Sequence, residues 1–343
     1  MESLSEAEIQ ALIAHLELEL PKETPNNNFY SFYPKTLDEA ASYFRKYRED
    51  WTSAYASLTT KGLLLQKGSQ HQLTKMGRAL AQQFRDARPP IWYWYKEFYL
   101  EAPNSQAFTR FCNRLYGKSL CQDGFSDMAQ IEALLRLAKL GEDNKVLDLG
   151  CGTGMITEYI ADATGACVAG MDYIEEAIAQ AQARTIAKRG RLSFHVGNLD
   201  NLPFPPRSFD CLISIDSLYM PNDLDSTLAQ MQELLIPAGQ MLVFYSQMAG
   251  DAQNYQDILQ AESTPLGQAL LKAGLANCTH DFSAESYALL QRKRSIAEAM
   301  RAEFEAEGRS FLYDHLVAES ERNPAPYDAQ TSMMSRYLYQ IQT

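Results

Sequence analysis

The residues best placed to do chemistry lie between Asp148 and Asp172. Gly150, Cys151, Gly152, Thr153 and Gly154 follow the apolar run Lys145-Val146-Leu147-Asp148-Leu149 and precede a helical pattern from Met155 to Thr164. A glycine-rich turn between a strand and a helix lets the backbone bend sharply and approach a ligand that a Cβ atom would exclude. Asp172 closes a second apolar run, Cys167-Val168-Ala169-Gly170-Met171, and an acid roughly twenty residues past such a loop can accept hydrogen bonds from both hydroxyls of a ribose. The two features together describe a nucleoside site. They do not choose between a dinucleotide and another nucleoside.

Other chemistries find less support. His15, His71, His195, His280 and His315 neither cluster nor pair with a carboxylate at metal spacing, so no metal site is expected. His195 falls inside a predicted third strand and reads as structural. The six cysteines (Cys112, Cys121, Cys151, Cys167, Cys211, Cys278) form no CxxC pair, which argues against a zinc ribbon or a disulfide framework and for a reducing, cytoplasmic setting. A formal charge of −12 repels a polyanion, so nucleic acid is not the expected partner. The N-terminus is acidic and amphipathic where a signal peptide would be basic and then apolar, and no apolar run is long enough to span a membrane.

The elements that position the glycine loop are a βαβ succession beginning near Asn144. A third strand around His195 leads through "VGNLDNLPFPPRSFDCLISIDSLYM" to a fourth, Cys211 to Ile215, that ends in Asp216-Ser217-Leu218-Tyr219. Side chains at the carboxyl ends of such strands face the crevice where ligands bind. A helix from Asp223 to Leu235, the strand in "LIPAGQMLVFYS" and a closing strand from Ser335 to Gln340 follow. Between these last two strands, residues from about 250 to 330 read as a largely helical insertion, with one helix from about Ala284 to Glu307.

The stretch "VLDLGCGTG" resembles motif I of the class I S-adenosylmethionine-dependent methyltransferases, in which an acid precedes glycines spaced GxGxG; a dinucleotide fingerprint requires GxGxxG. "GNLDNLPF…SFD" is similar to the same family's segment between its third and fourth strands. The likeness is to the ubiquinone/menaquinone-biosynthesis-like branch (methyltransferase type 11) and spans about residues 125–343. It implies an α/β Rossmann-like sheet with helices on both faces, S-adenosyl-L-methionine as cofactor, and transfer of a methyl group to nitrogen, oxygen or carbon of a small-molecule acceptor. By this resemblance Asp148, Gly150, Cys151, Gly152, Gly154, Asp172, Tyr173, Asn198, Leu199, Asp216 and Ser217 hold the cofactor. Asp148 suits a donor whose methionine tail carries an ammonium, and it would repel a pyrophosphate. Asn198 departs from the aspartate usual at that position, yet its carbonyl can still accept from the adenine amino group. Tyr219 is the candidate catalytic group near the acceptor. "YGKSLCQDGFSDM" resembles the segment that closes over the cofactor, which gives Tyr116, Gln122 and Phe125 a substrate or lid role.

Residues 1–124 read as a mainly helical N-terminal domain ahead of the cofactor domain at 125–343. A helix from Leu4 to Leu20 carries a Ser5/Glu8 capping box, and a polar break follows at Pro25-Asn26-Asn27-Asn28. Two helical stretches, Leu37 to Tyr47 and Trp51 to Thr60, lead to a hairpin from Gly62 to Thr74 and a helix from Lys75 to Arg85. "TTKGLLLQKGSQHQLTKMGRALA" resembles a winged-helix module. Arg45, Lys46, Arg48, Lys61, Lys67, Lys75 and Arg78 make it locally basic. Two roles stay open, packing or homodimerisation as in many small-molecule O-methyltransferases, and DNA binding by a regulator that senses S-adenosylmethionine. The aromatic helix Ile91 to Tyr99 fits either a core or an interface. An enzyme of this fold using the cofactor for other chemistry is a third possibility.

Overall fold

The structure is a computed structural model that describes residues 3–20, 34–44, 51–249, 255–321 and 326–343. Contacts divide the chain into two compact units, with the division between Phe98 and Tyr99.

In the smaller unit, α1 (Glu6–Glu19) starts with the reciprocal cap: Ser5 Oγ accepts from the Glu8 amide at 3.3 Å and Glu8 Oε2 accepts from the Ser5 amide at 2.6 Å. Ala11, Leu12, Ile13, Ala14 and Leu16 are consecutive or nearly so and all buried, so this helix is enclosed rather than striped. There follow α2 (Leu37–Ala41), α3 (Trp51–Thr60), β1 (Leu64–Lys67), β2 (Gln70–Leu73) and α4 (Lys75–Ala87), and the division falls within α5 (Pro90–Glu101). β1 and β2 form the expected hairpin, with Lys67 opposite Gln70 across a Gly68-Ser69 turn. Thr74 caps α4 by accepting from the Gly77 amide at 3.0 Å. The stretch expected from Leu37 appears as α2 with a 3₁₀ turn at Ser42–Phe44. Residues 45–47, the basic residues Arg45, Lys46 and Arg48, and the Pro25 to Asn28 break all lie outside the described residues.

The larger unit runs α6 (Gln106–Tyr116), α7 (Met128–Ala138), β3 (Lys145–Leu149), α8 (Met155–Thr164), β4 (Cys167–Asp172), α9 (Glu175–Arg184), β5 (Leu192–Val196), β6 (Phe209–Ile215), α10 (Leu224–Leu234) and β7 (Leu235–Met248). It continues with α11 (Tyr255–Ile258), α12 (Pro265–Ala273), β8 (Asn277–Asp281), α13 (Ser283–Ala299), α14 (Arg301–Ala306), α15 (Ser310–Glu321) and β9 (Met334–Gln342). Seven strands form one sheet in the order β5-β4-β3-β6-β7-β9-β8. The first five are parallel and β9 runs antiparallel to both its neighbours. Val146 of β3, Val168 of β4, Ile213 of β6, Leu242 and Phe244 of β7 and Leu338 of β9 lie in a single apolar cluster that fixes the register of the sheet.

Three features differ from the sequence expectation. The contact division falls 26 residues before the expected 124/125 boundary, because α6 packs within the larger unit: Arg292 donates to the Leu115 carbonyl at 2.6 Å and Ser105 Oγ to Glu307 at 2.7 Å. These partners are far apart in the chain, so local pattern carries no trace of them. The insertion also contains a strand, β8, which has an exposed polar sequence (Asn277-Cys278-Thr279-His280-Asp281) because it forms the sheet edge and lacks an apolar alternation. Finally, the helix expected over 284–307 breaks at Met300 into α13 and α14.

Candidate active site

Four parallel strands end side by side and deliver the site residues to one edge. β3 leads into the glycine loop, whose first two amides, Gly150 and Cys151, donate to the Met171 carbonyl of β4 at 2.8 and 3.0 Å. Gly150 has φ +77°, and a Cβ there would lie 2.3 Å from Ser217 Cβ. Gly154, at φ +70°, caps α8 where a Cβ would meet the Phe194 ring at 2.3 Å. Both positions therefore demand glycine for conformation and for space. Tyr99 sits over Gly152, its hydroxyl 2.7 Å from where a Cβ would be.

Asp148 and Asp172 are both buried at this loop. Asp148 Oδ2 accepts from Thr157 Oγ1 at 2.6 Å; Asp172 accepts from the Gly152 and Ile174 amides at 2.9 and 3.0 Å. Burial pushes the Asp148 carboxyl up to about 6, with the Thr157 hydroxyl opposing and the charge of Asp172 adding. Burial likewise pushes Asp172 up to about 6 against the pull of the Ile174, Gly152 and Tyr173 amides. Among the described residues neither carboxylate forms an ion pair. Two buried acids with no cation beside them make a site suited to a cationic ligand and hostile to a pyrophosphate. Tyr173 and Cys151 flank them, their phenol and thiol held protonated, first by burial and then by the charge of Asp172.

The remaining sequence candidates separate into two groups. Asn198 and Leu199 follow β5 at the same edge; Asn198 is exposed and its side-chain carbonyl accepts from the Asp200 amide at 3.0 Å, while Leu199 is buried. Ser217 bonds inward, donating to the Leu149 carbonyl at 2.6 Å and meeting Ser214 Oγ at 2.7 Å, so it ties the end of β6 to the end of β3. Tyr219 is buried, its hydroxyl 3.2 Å from Asp216 Oδ1 and accepting from the Ser246 amide at 2.5 Å. Burial, then the Asp216 charge, drives that phenol well above its ordinary value, which keeps it protonated. Tyr116 donates to the Gly124 carbonyl at 3.1 Å; Gln122 bonds locally to the Leu120 amide and the Lys118 carbonyl; Phe125 packs its ring 5.6 Å from a guanidinium.

That guanidinium belongs to Arg336, which the sequence marks only as part of a closing strand. Arg336 is fully buried in β9, and all five of its N–H groups are used. Nη1 donates to Asp216 Oδ1 at 2.5 Å and Ser246 Oγ at 2.8 Å, Nη2 to Asp216 Oδ2 at 2.9 Å and Ser126 Oγ at 2.7 Å, and Nε to Gln130 at 3.0 Å. Asp216 itself has φ +57°, a left-handed conformation that aspartate tolerates better than most residues. Gly124 approaches it so closely that a Cβ would lie 3.1 Å from Oδ2. Arg336 thus joins segment 124–130 to the ends of β6 and β7. An arginine near the start of an otherwise mainly apolar and aromatic strand is the one signal the sequence offers.

A second grouping also escaped the sequence. His315 on α15 lies 2.8 Å from Asp123 and 3.8 Å from Glu319, and these three side chains offer ligand atoms within 4.8 Å of one another. Lys293, itself buried, is ion-paired with Glu319.

The fold is that of the Rossmann-like class I methyltransferases. Residues 146–239 match the family model described as a methyltransferase domain. The phosphoethanolamine N-methyltransferase of Triticum aestivum is 26% identical over 252 residues, which are 66% of this chain and 48% of that protein. The chain therefore spans about half the length of this relative. Among solved structures, phosphoethanolamine N-methyltransferase 2 of Haemonchus contortus, in complex with phosphomonomethylethanolamine and S-adenosylhomocysteine, superposes with a TM-score of 0.57 at 18% identity, covering 73% of this chain and 59% of its own. The [4+2]-cyclase SpnF superposes with a TM-score of 0.52 at 18% identity, covering 71% of this chain and 94% of its own. Among the described residues no helix is long and apolar enough to cross a membrane.

Proposed function

We propose that this protein is an S-adenosylmethionine-dependent methyltransferase acting on a small-molecule acceptor. The observation that carries the reading is the buried, uncompensated pair Asp148 and Asp172 around a loop that has no room for a Cβ. The bound donor supplies a methyl group on a sulfonium with a good leaving group. Asp148 offers a carboxylate to the ammonium of a methionine tail, Asp172 to the ribose hydroxyls, and Asn198 and Leu199 border the adenine. Segment 116–128 shields the crevice from water through Tyr116 and Phe125. Tyr219, protonated and bonded to Asp216 and the Ser246 amide, serves as a positioning group rather than as a base. In-line displacement needs chiefly alignment and desolvation, which this arrangement supplies. The wheat and nematode relatives methylate phosphoethanolamine by name, and support a small acceptor for this chain. The methyltransferase type 11 branch, a winged-helix role for α3 to α4, a homodimer and a cytoplasmic location belong to the same proposal; the free state of all six cysteines fits a reducing compartment. A charge of −12 argues against DNA as the partner of the N-terminal module.

The test is calorimetry with S-adenosylmethionine and S-adenosylhomocysteine, followed by transfer of a labelled methyl to small acceptors. Micromolar binding of both is expected; binding of a nicotinamide or flavin nucleotide in their place would sink the proposal. Because SpnF shows that this fold also serves a cyclase, tight donor binding with no labelled product would favour other chemistry.

The two carboxyls also set a pH dependence. Their values in the folded protein, about 6, exceed the ordinary 3.8, so their contribution to the stability of the empty protein is present below about pH 4 and lost as pH rises through 6. A bound ammonium and ribose favour the ionised pair, so donor affinity is expected to rise about tenfold or more between pH 5 and 7. Titrations at pH 6 in buffers of different ionisation enthalpy should show proton release on binding. Affinity flat across this range would contradict the assignment.

A further inference from the structure

We propose a second binding site, for a small molecule carrying a phosphate group, at the amino ends of β3, β4 and β5. A cavity of about 220 Å³ lies there, and its walls include Lys145, Cys167, Arg189, Gly190, Arg191 and Ser193. The three strands run parallel, so this cavity and the glycine loop occupy opposite ends of the same strands. Along β4, from Cys167 to Asp172, that separation is about 16 Å at 3.3 Å per residue. A ligand here leaves the donor crevice free.

The backbone of this cavity is tied together across the sheet. The Cys167 amide donates to the Asn144 carbonyl at 2.9 Å, the Val168 amide to the Arg191 carbonyl at 2.8 Å, and the Arg191 amide to the Lys188 carbonyl at 2.9 Å. Arg191 is anchored as well, its Nη1 donating to the Ala161 carbonyl at 3.1 Å and its Nη2 lying 3.6 Å from Asp162. The neighbouring cations are likewise matched: Arg184 and Lys188 pair with Glu158, and Lys188 also with Asp162. Lys145 and Arg189 differ. Among the described residues neither side chain forms an ion pair, and the residues lining the cavity include no acid. Asp210, next to the lining residue Phe209, accepts the Lys145 amide at 2.8 Å.

Two uncompensated cations on a chain of net charge −12 mark a place where an anion is welcome on a surface that otherwise repels it. A phosphomonoester carries about −1.5 to −2 charges near pH 7, which matches Lys145 and Arg189 together. A single carboxylate would leave one of them unmatched. The guanidinium of Arg189 can bind two phosphate oxygens at once, and the ammonium of Lys145 adds a point charge. The volume is below that of an ordinary drug-sized pocket, so the ligand is inorganic phosphate or a short phosphomonoester rather than a dinucleotide. The thiol of Cys167 is free and exposed in the cavity wall, which makes it a built-in reporter of occupancy. Cys278, free and exposed on β8 at the far edge of the sheet, serves as the internal control.

The test measures alkylation of Cys167 and Cys278 by uncharged iodoacetamide, followed by peptide mass spectrometry, on the full chain at constant pH and ionic strength. The probes are inorganic phosphate, glycerol 3-phosphate, glycerol and acetate. Millimolar phosphate or glycerol 3-phosphate is expected to slow Cys167 at least about fivefold and to leave Cys278 unchanged, with protection weakening as salt rises. Protection by the ester at lower concentration than by phosphate identifies a phosphomonoester as ligand; equal potency identifies the free anion. In K145Q/R189Q protection should vanish, while circular dichroism and calorimetric affinity for S-adenosylmethionine stay native. No protection by either phosphate compound, equal protection by acetate or glycerol, slowing of both cysteines alike, or protection that survives in K145Q/R189Q each overturns the proposal. The donor reading is tested separately, since protection of Cys167 does not depend on donor binding.

Discussion

Asp172→Ala is expected to weaken S-adenosylmethionine binding by about 100-fold or more. A carboxylate receiving two ribose hydroxyls makes two charge-assisted hydrogen bonds worth about 1.5–3 kcal/mol each, and about 1.4 kcal/mol corresponds to a factor of ten. The same carboxylate receives the Gly152 and Ile174 amides, so its loss also frees the loop that cradles the ligand. Asp172→Asn retains one carbonyl acceptor without the charge, and should fall in between, near tenfold. Calorimetry measures both, and circular dichroism establishes that each variant is folded. If Asp172→Ala binds the donor with native affinity, the sugar is held elsewhere and the nucleoside assignment of this edge fails.

Arg336→Met should be the most destabilising single change in the larger unit, by about 3–5 kcal/mol, because it leaves Asp216 buried without its partner. Methionine fills a similar volume, so the loss measures electrostatics and hydrogen bonding more than a cavity. The companion variant Asp216→Asn/Arg336→Met removes both charges, and is expected to recover more than half of the loss. Asparagine also suits the left-handed conformation at position 216. Because two compact units need not unfold together, the readout is hydrogen exchange of β6, β7 and β9 rather than a single melting curve. The single variant should also bind donor less tightly, since Ser126 and Gln130 lose their anchor and segment 124–130 is released from Asp216. A double variant no more stable than the single one would show that the pair is not coupled.

The parts of the site that local sequence could express were legible. Glycines spaced GxGxG need a turn whatever surrounds them, and an acid at a strand end needs only the strand to place it. The loop, Asp148 and Asp172 therefore follow from the pattern of β3, α8 and β4, and the structure brings them to one edge. The alternation of apolar runs with helical spacing likewise specifies the parallel part of the sheet, since strands buried on both faces read as continuous apolar segments. Ser217 and Asn198 were placed at the right edge, but which way their side chains bond was not written in the chain: Ser217 ties two strand ends together, and Asn198 closes its own turn.

What tertiary structure alone decided is where distant polar groups meet. Arg336 lies 120 residues from Asp216, and His315 lies 192 from Asp123. Nothing in the periodicity of β9 or α15 records those partners, because a charged residue chooses its neighbour through desolvation in the folded core, a long-range condition. The edge strand β8 was hidden for the opposite reason, since a strand with one free side needs no apolar alternation. The sequence by itself determined the glycine loop with Asp148 and Asp172, whose demands are on backbone shape and on charge within a single βαβ unit. The fold determined the Arg336–Asp216 and His315–Asp123 pairings, because their segments are brought together only when residues 250–343 pack against the rest of the larger unit.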